Sequence, residues 1–264
     1  MPVVPAPPEK PAVVAPPPAP AAVAKAAPPV VKEQPPKEKP AMTAYAVPSK
    51  AAEAGPAIAI VIDDLGLDRV HTAQVLELQA GITVSIMTYA ADAGGLAAKA
   101  RAAGHEVLAH VPMQPLNDKE YAGPRALTVA MDIDAIRATL AADLDKWDGY
   151  AGVNNHMGSR FTVDRIRMGA VMAELKARGL FWLDSRTTNG SVGVAAAEAA
   201  EVPYVTRDIF LDNEPNLDAV LQELERTIAI AKSRGTAIAI GHPHDHTIAG
   251  LKQILPTLAE RGVV

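Results

Sequence analysis

Two adjacent carboxylates at the end of an apolar segment are the first sign of chemistry in this sequence. The six residues from Ala57 to Ile62 predict a strand buried on both faces, and Asp63 and Asp64 follow it directly before a Leu-Gly turn. Burying one carboxylate without a partner is costly, and two neighbouring carboxylates repel each other. Such a pair needs a cation, a proton or open water, and we interpret it as the start of a metal-dependent hydrolytic site.

Four further polar side chains follow predicted strands in the same way. His110 and Asp184 end two apolar segments, and His156 and His242 come just after two others. In parallel α/β folds the carboxyl ends of the strands share one face, and that face holds the active site. We therefore expect these residues, which are far apart in the sequence, to converge.

These residue types suit metal-assisted hydrolysis. One carboxylate and two imidazoles, with a position left for water, are typical ligands of catalytic zinc and related divalent ions. A second carboxylate can take a proton from water whose pKa the cation lowers toward neutrality. A histidine can protonate the leaving group, and another carboxylate can hold the tautomer of that histidine. The sequence contains a candidate for each role.

Some of these residues also have structural interpretations. A single Asp at a strand end often caps a helix or forms a turn, and Asp184 could pair with Arg186. His71 and His105 are interpreted as structural, and His246 could cap the last helix. Three loop residues could bind substrate or pair with one another, namely Arg160, Arg207 and Asp208.

Composition argues against several classes of function. The net charge is −5 and the folded part has no basic run, so nucleic acid is not an expected partner. There is no cysteine, which excludes disulfides and thiolate metal sites. We expect no membrane span, because no segment reaches the length of about 18 apolar residues that one needs. Met1 is not followed by the basic region and apolar core of a signal peptide.

A shift in composition predicts the domain organisation. The first 56 residues contain 16 of the 23 prolines, and such a tract cannot pack a core. We predict a disordered Pro/Ala-rich linker over residues 1–56 and one folded domain over residues 57–264. The tract is either a simple disordered terminus or a spacer that tethers the domain to a membrane anchor.

Strands and helices alternate through the folded part, which predicts parallel strands joined by right-handed crossovers. An open doubly wound sheet and a closed or nearly closed barrel both fit this order. No glycine-rich phosphate loop follows any strand, which weakens the nucleotide-binding version. The seven predicted strands are residues 57–62, 82–87, 105–110, 150–154, 180–184, 203–206 and 236–240.

Four strings of residues resemble the polysaccharide deacetylases of the NodB-homology type, and more closely their divergent branch. They are Ile62-Asp63-Asp64, Gly104 to His110, Asn154-Asn155-His156-Met157-Gly158-Ser159, and Gly241-His242-Pro243-His244. The resemblance implies a distorted (β/α)7-type barrel. It also implies that Asp63 is the catalytic base, that Asp64 and His110 bind the metal, that His242 is the general acid and that Asp184 tunes it.

The sequence departs from the family pattern at one metal ligand. The second motif normally carries another metal-binding histidine four residues after the first, and here that position is Gln114. The Arg-x-Pro-Tyr string that shapes the usual substrate groove is also missing. We infer that His156 replaces the lost ligand.

The favoured hypothesis is a metal-dependent hydrolase that removes acetyl groups from a polysaccharide of the periplasm or cell envelope. The divalent ion is expected to be zinc, and Asn155, Arg160 and His244 are weaker candidates for substrate binding.

The alternative is a non-catalytic envelope module of the same fold that binds glycan or a protein partner. Gln114 favours this alternative, whereas the retained base and acid argue against it. An amidohydrolase-like metal pair at His242 and His244 is disfavoured, because that pair usually ends the first strand of its barrel.

Overall fold

The computed structural model describes residues 39–47 and 55–264. Its helices are α1 (Ala41–Ala44), α2 (Arg69–Leu76), α3 (Ala93–Ala102), α4 (Ile133–Leu144), α5 (Arg165–Arg178), α6 (Gly193–Ala200), α7 (Leu217–Arg234) and α8 (Asp245–Ile254). Its strands are β1 (Ala57–Leu65), β2 (Thr83–Met87), β3 (Glu106–Met113), β4 (Gly152–Met157), β5 (Phe181–Asp184), β6 (Tyr204–Thr206), β7 (Ile209–Phe210) and β8 (Thr236–Gly241). Most of the predicted disordered tract lies outside the described residues.

The strands form one parallel sheet that curls into a half-barrel, which confirms the predicted class of fold. The strand order is β6-β5-β4-β3-β2-β1-β8-β7, and every neighbouring pair is parallel. The sheet has eight strands, one more than predicted. The additional strand, β7, has two residues, which is too short to produce a recognisable alternation in the sequence.

The curvature of the sheet follows from the connection between β6 and β7. These strands lie at opposite edges of the sheet, yet only Arg207 and Asp208 join them. Seven spacings of about 4.8 Å would separate the edges of a flat eight-stranded sheet by roughly 33 Å. The three Cα–Cα steps of the link reach at most about 11 Å. The two edges must therefore curl toward each other, which brings the carboxyl ends of all the strands around one opening.

Backbone hydrogen bonds attach the link to β5 and β8, the strands next to the two edges of the sheet. The backbone N–H of Arg207 donates to the Asp184 carbonyl oxygen of β5 at 3.1 Å, and that of Asp208 donates to the Ile238 carbonyl oxygen of β8 at 2.8 Å. Within the described strands, β6 and β7 remain the unpaired edges. At this seam, formed by Arg207 and Asp208, the covalent chain joins the two edges of the half-barrel, because β6 and β7 do not pair with each other.

Alternation along the strands separates an inner core from an outer one. Val61, Leu108, Leu183 and Ile240 form a small buried cluster contributed by four different strands. Ile62, the neighbour of Val61, belongs to the large cluster that includes the helices. Helix α7 covers the outer side with one apolar stripe, as its sequence predicts, and buries Val220, Leu224, Ile228 and Ala231.

Part of the predicted Pro/Ala-rich tract packs on the folded domain. Ala41 of α1 is buried, and the backbone N–H of Met42 donates to the Gly179 carbonyl oxygen at 2.9 Å. The N–H of Val47 donates to a carboxylate oxygen of Glu106 at 3.3 Å. The absence of a side chain at Gly179 permits this close approach, because a Cβ atom there would lie 2.9 Å from Pro40. Among the described residues, no helix has the length and apolar character needed to span a bilayer.

Replacing Ile62 tests whether the packing under the Asp63–Asp64 pair stabilises the fold. Ile62 is fully buried, whereas Ile166 on helix α5 is 73% exposed and provides a matched control. Ile62→Ala should lower the free energy of unfolding by about 2–5 kcal/mol, whereas Ile166→Ala should change it by about 0.5 kcal/mol or less. Urea denaturation measures both values, and equal losses in the two variants would contradict the assignment of Ile62 to the core.

Candidate active site

A bulge in β1 aims both carboxylates of the Asp63–Asp64 pair at the same histidine. In a regular strand, neighbouring side chains point to opposite faces. Here the pairing of β1 with β2 shifts register between Ile62 and Leu65, and Asp64 adopts a left-handed backbone conformation with φ of 59°. As a result His110 Nε2 lies 3.7 Å from Asp63 Oδ2 and 3.3 Å from Asp64 Oδ1. Strained conformations of this kind cluster at functional sites.

Asn154 determines how His110 and Asp63 are oriented. Its side-chain oxygen accepts hydrogen bonds from His110 Nδ1 at 2.7 Å and from the Ser85 hydroxyl at 2.5 Å. Its amide nitrogen donates to Asp63 Oδ1 at 2.8 Å and to Ser185 Oγ at 3.3 Å. Because a carboxylate can only accept, this orientation of the amide is the one that satisfies every partner. His110 therefore carries its proton on Nδ1 when neutral and presents the lone pair of Nε2 to the Asp64 side.

Asp64, His110 and His156 form a cluster with the donors of a divalent-cation site. One ligand atom from each lies within 4.8 Å of the others, and His156 Nδ1 is 2.8 Å from Asp64 Oδ1. That oxygen is buried and receives no well-formed hydrogen bond from any described residue. Two zinc ligands at about 2.0–2.1 Å in tetrahedral geometry are about 3.3 Å apart, which matches the spacing of Asp64 Oδ1 and His110 Nε2. The residues present therefore fit a divalent cation.

The electrostatics of this cluster favour positive charge at its centre. Burial opposes ionisation of Asp64, but the nearby imidazoles of His110 and His156 hold the pKa of its carboxyl far below the ordinary value. Burial likewise opposes a charged His110, but Asp63 and Asp64 raise the pKa of its imidazole above the ordinary value. Two carboxylates at a buried strand end thus demand compensation, which protons on the histidines or a metal ion can supply.

His242 lies at the edge of this cluster and pairs with Asp212. Its Nε2 is 4.0 Å from Asp64 Oδ2, and its Nδ1 is 3.1 Å from Asp212 Oδ1. The other oxygen of Asp212 accepts from the His242 backbone N–H at 2.5 Å and from the Thr247 hydroxyl at 2.8 Å. Burial opposes a charge on the ring, but Asp212 raises the pKa of His242 to about 9. His242 is therefore protonated at neutral pH.

The prediction that Asp184 holds His242 is wrong, because the structure gives that position to Asp212. Asp184 is buried, and its oxygens accept from the Arg186 backbone N–H at 2.8 Å and from the Ser191 hydroxyl at 2.7 Å. It orders the loop after β5. The sequence does not predict the role of Asp212, because this residue follows β7, whose two residues are too few to be recognised as a strand. The apolar residues directly before Asp212 are the only local indication of a strand there.

The predicted substrate-binding residues Asn155 and Arg160 are occupied by structural bonds. Asn155 accepts from the Ser185 backbone N–H at 3.1 Å and donates to the Met157 carbonyl oxygen at 2.6 Å, so it braces the loop beneath the site. Arg160 donates to the Leu116 carbonyl oxygen at 2.8 Å and does not pair with Arg207 or Asp208 within the described residues.

Gln114 and His244 have different environments in the structure. Gln114, at the position of the missing family ligand, accepts from the Val129 backbone N–H at 2.9 Å and holds the long loop after β3. His244 is exposed and belongs to a second cluster with Asp212 and His242.

The remaining histidines lie outside the cluster of Asp64, His110 and His156. His71 pairs with Asp68 at 2.8 Å and Asp245 at 3.1 Å, and His105 Nε2 lies 3.3 Å from the Leu76 carbonyl oxygen, as their structural interpretation predicts. His246 lies inside helix α8, whose N-cap is His244, so it does not cap this helix.

Removing the Asn154 side chain should weaken metal binding through His110 and Asp63. Asn154→Ala leaves four buried polar groups without their partner, and loss of such support typically lowers metal affinity by about 10–100-fold. The adjacent buried residue provides a control, because Asn155 contacts backbone groups. Asn155→Ala should destabilise the fold with a smaller effect on affinity. Zinc titration monitored by calorimetry measures both, and equal zinc affinities in the two variants would contradict the role of Asn154.

The pairing of His242 with Asp212 should be visible in a pH titration of the metal-free protein. NMR should report a pKa of about 9 for His242, and Asp212→Asn should lower it toward or below the ordinary value of about 6.5. A raised folded-state pKa contributes stability that is fully present below about pH 6.5 and is lost as the pH rises through about 9. The stability difference between wild type and Asp212→Asn should therefore shrink between pH 6 and 10, as urea denaturation would measure. The resonances of His71, which has separate partners, serve as an internal reference, and an unchanged titration of His242 would refute the pairing.

Comparisons with known proteins agree with the resemblance found in the motifs. The chain is 35% identical over 201 residues to the uncharacterized protein YibQ of Escherichia coli K12, a match that covers 76% of this chain and 63% of that relative. It is 34% identical over 203 residues to an uncharacterized protein of Haemophilus influenzae, covering 77% of this chain and 72% of the other. This chain thus spans less than two thirds of the length of the E. coli relative.

Among solved structures, an uncharacterized protein of Agrobacterium tumefaciens C58, ATU2773, has the same fold. The TM-score is 0.82 at 27% identity, with 85% of this chain and 92% of the other covered. The family model described as divergent polysaccharide deacetylase matches residues 60–264, which include all the residues of the candidate site. The chain therefore belongs to the divergent polysaccharide deacetylase family.

Proposed function

We propose that this protein is a metal-dependent hydrolase that removes acetyl groups from a polysaccharide of the cell envelope. Membership of a family described as polysaccharide deacetylases supports the class of reaction and of substrate. The observation that carries the proposal is the buried Asp64 oxygen, which lies between two imidazole nitrogens without a well-formed hydrogen bond. A base candidate and an acid candidate flank it.

Asp64, His110 and His156 would hold the cation, with a coordination position left open for water. The donor set of one carboxylate and two imidazoles favours zinc. When bound, the cation would supply Lewis acidity, which polarises the acetyl carbonyl, lowers the pKa of water and stabilises developing negative charge on oxygen.

Asp63 is placed to act as the general base. Its side chain is buried, and Oδ1 is tied to the Asn154 amide at 2.8 Å, which leaves Oδ2 on the His110 side to accept a proton. In the proposed reaction Asp63 takes a proton from the water that attacks the acetyl carbonyl carbon. Geometry of this kind contributes typically about 10²–10⁴-fold to the rate.

His242 is placed to act as the general acid. It is protonated at neutral pH because Asp212 raises its pKa to about 9, and its Nε2 faces the Asp64 side of the site. When the bond from the carbonyl carbon to the sugar nitrogen or oxygen breaks, His242 donates its proton to the leaving atom. Acetate and the free amine or alcohol are the products.

A non-catalytic glycan- or protein-binding module of the same fold is the competing function. The observation that favours it is Gln114, whose side chain is bound to the backbone at the position where the family usually has a metal ligand. The position of His156 beside Asp64 supports the catalytic alternative, because it restores a third donor. As part of the same proposal, the Pro/Ala-rich tract tethers the domain in the envelope.

Metal content and acetate release from N-acetylated oligosaccharides and from acetylated cell-wall polymer test this proposal. After dialysis against metal-free buffer, wild type should retain zinc and release acetate, whereas Asp64→Ala and His156→Ala should lose both. Asp63→Asn should keep its zinc and lose about 10²–10⁴-fold in rate. His71→Ala, a substitution outside the cluster, serves as the control.

Two results would count against the proposal. Zinc retained equally by Asp64→Ala and His156→Ala would refute the ligand set. A wild type that holds zinc and binds the polymer but releases no acetate would favour the binding module.

A further inference from the structure

A second group of metal-binding residue types lies beside the proposed catalytic site. Asp212 follows β7, His242 follows β8, and His244 is the N-cap residue of helix α8. One ligand atom from each lies within 4.8 Å of the others. The turn between the two histidines is tight, because the His244 backbone N–H donates to the His242 carbonyl oxygen at 2.8 Å.

The carboxylate of this group has one oxygen with capacity for a cation. Asp212 Oδ2 already accepts two hydrogen bonds, from the His242 backbone and the Thr247 hydroxyl. Oδ1 contacts only His242 Nδ1 among the described residues, at 3.1 Å. That distance is close to the spacing of about 3.3 Å between two tetrahedral zinc ligands, so a cation could replace the proton that these two atoms share.

The surroundings supply a third nitrogen and a way in from solvent. His244 is exposed, and its ring centre is 5.9 Å from that of His242. The ring of His246 stacks on His244 at 5.2 Å, and its buried Nε2 has no hydrogen-bond partner among the described residues. Two imidazoles around one buried carboxylate, with a third imidazole stacked on one of them, are more donors than positioning of a single histidine requires.

We propose that Asp212, His242 and His244 form a second divalent-cation site, which binds zinc more weakly than the first and shares His242 with the catalytic machinery. Binding at this site must displace a shared proton, and His244 is exposed, whereas the first site has a buried carboxylate oxygen without a well-formed hydrogen bond. A cation on His242 Nδ1 would displace the proton held there by Asp212 into solvent. The ring would keep one proton, on Nε2, which a neutral imidazole releases far less readily than an imidazolium does. Excess zinc would then disable the acid; this consequence rests on the proposed function, whereas the binding itself does not.

Zinc titration of the full chain, stripped of metal with a chelator, tests the second site. Wild type should bind two zinc ions, one tightly and one weakly. His244→Ala and the more conservative His244→Asn should lose the weak ion, with affinity lower by at least about tenfold, and should keep the tight one. Asp64→Ala should lose the tight ion and keep the weak one, and His71→Ala should keep both. Circular dichroism confirms that each variant is folded, and cobalt(II) spectra report imidazole and carboxylate ligation at each site.

The outcomes separate this proposal from the proposed function. A wild type that binds a single zinc ion, lost in Asp64→Ala and kept in His244→Ala, would overturn the second site and leave the first in place. Two ions retained in both His244 variants would overturn it as well. If Asp64→Ala keeps both ions while the His244 variants lose one, the second site stands and the proposed ligand set of the first fails.

The regulatory consequence has its own measurement. Acetate release by wild type should fall at least tenfold when zinc is raised from one equivalent to a large excess. The same comparison within His244→Ala should show a fall of less than twofold. Equal inhibition of the two proteins would overturn the link between the second site and His242.

Discussion

The charge of two carboxylates at the end of a buried strand is the constraint around which this site is arranged. Asp63 is buried and Asp64 is mostly so, and each would be costly to ionise without compensation. Compensation comes from His110, which lies within 3.7 Å of both, and from His156, which lies 2.8 Å from Asp64. Asn154 makes this arrangement specific, because its oxygen directs the His110 proton away from the carboxylates while its nitrogen holds Asp63. This group of charges suits the binding of a cation.

The strand order brings the two halves of the candidate site together. Because β8 lies between β1 and β7, His242, just after β8, is beside Asp64 of β1 on one side and beside Asp212, just after β7, on the other. Asp184 ends β5, which lies toward the other edge of the sheet beside β6. The pairing of β7 with β8 thus decides which carboxylate contacts His242, and that carboxylate is Asp212, not Asp184.

In the proposed ligand set, a histidine from a neighbouring strand takes the place of the usual second-motif histidine. β3 and β4 are paired so that His110 lies opposite Asn154 and Pro112 lies opposite His156. Asn154, which orients His110, and His156, which lies beside Asp64, are therefore two residues apart on β4 and project from the same face of the strand. The imidazole rings of His110 and His156 lie 5.1 Å apart. Gln114 is then free to hold the loop through Val129. The proposed site would have the donor types that the family resemblance implies, with one of them drawn from a different strand.

Much of this could be predicted from the sequence, because parallel strands obey a simple rule. Short, mostly apolar runs located seven of the eight described strands. Asp or His at or just after some of these runs located five residues of the candidate site, namely Asp63, Asp64, His110, His156 and His242. Local patterns carry that information, since burial and strand direction depend on residues close in the sequence. The partner of His242, the role of Asn154 and the internal bonds of Asn155 and Arg160 were decided only by the tertiary structure. They depend on strand order, on strand register and on the direction of single side chains, which are set by contacts between residues distant in the sequence.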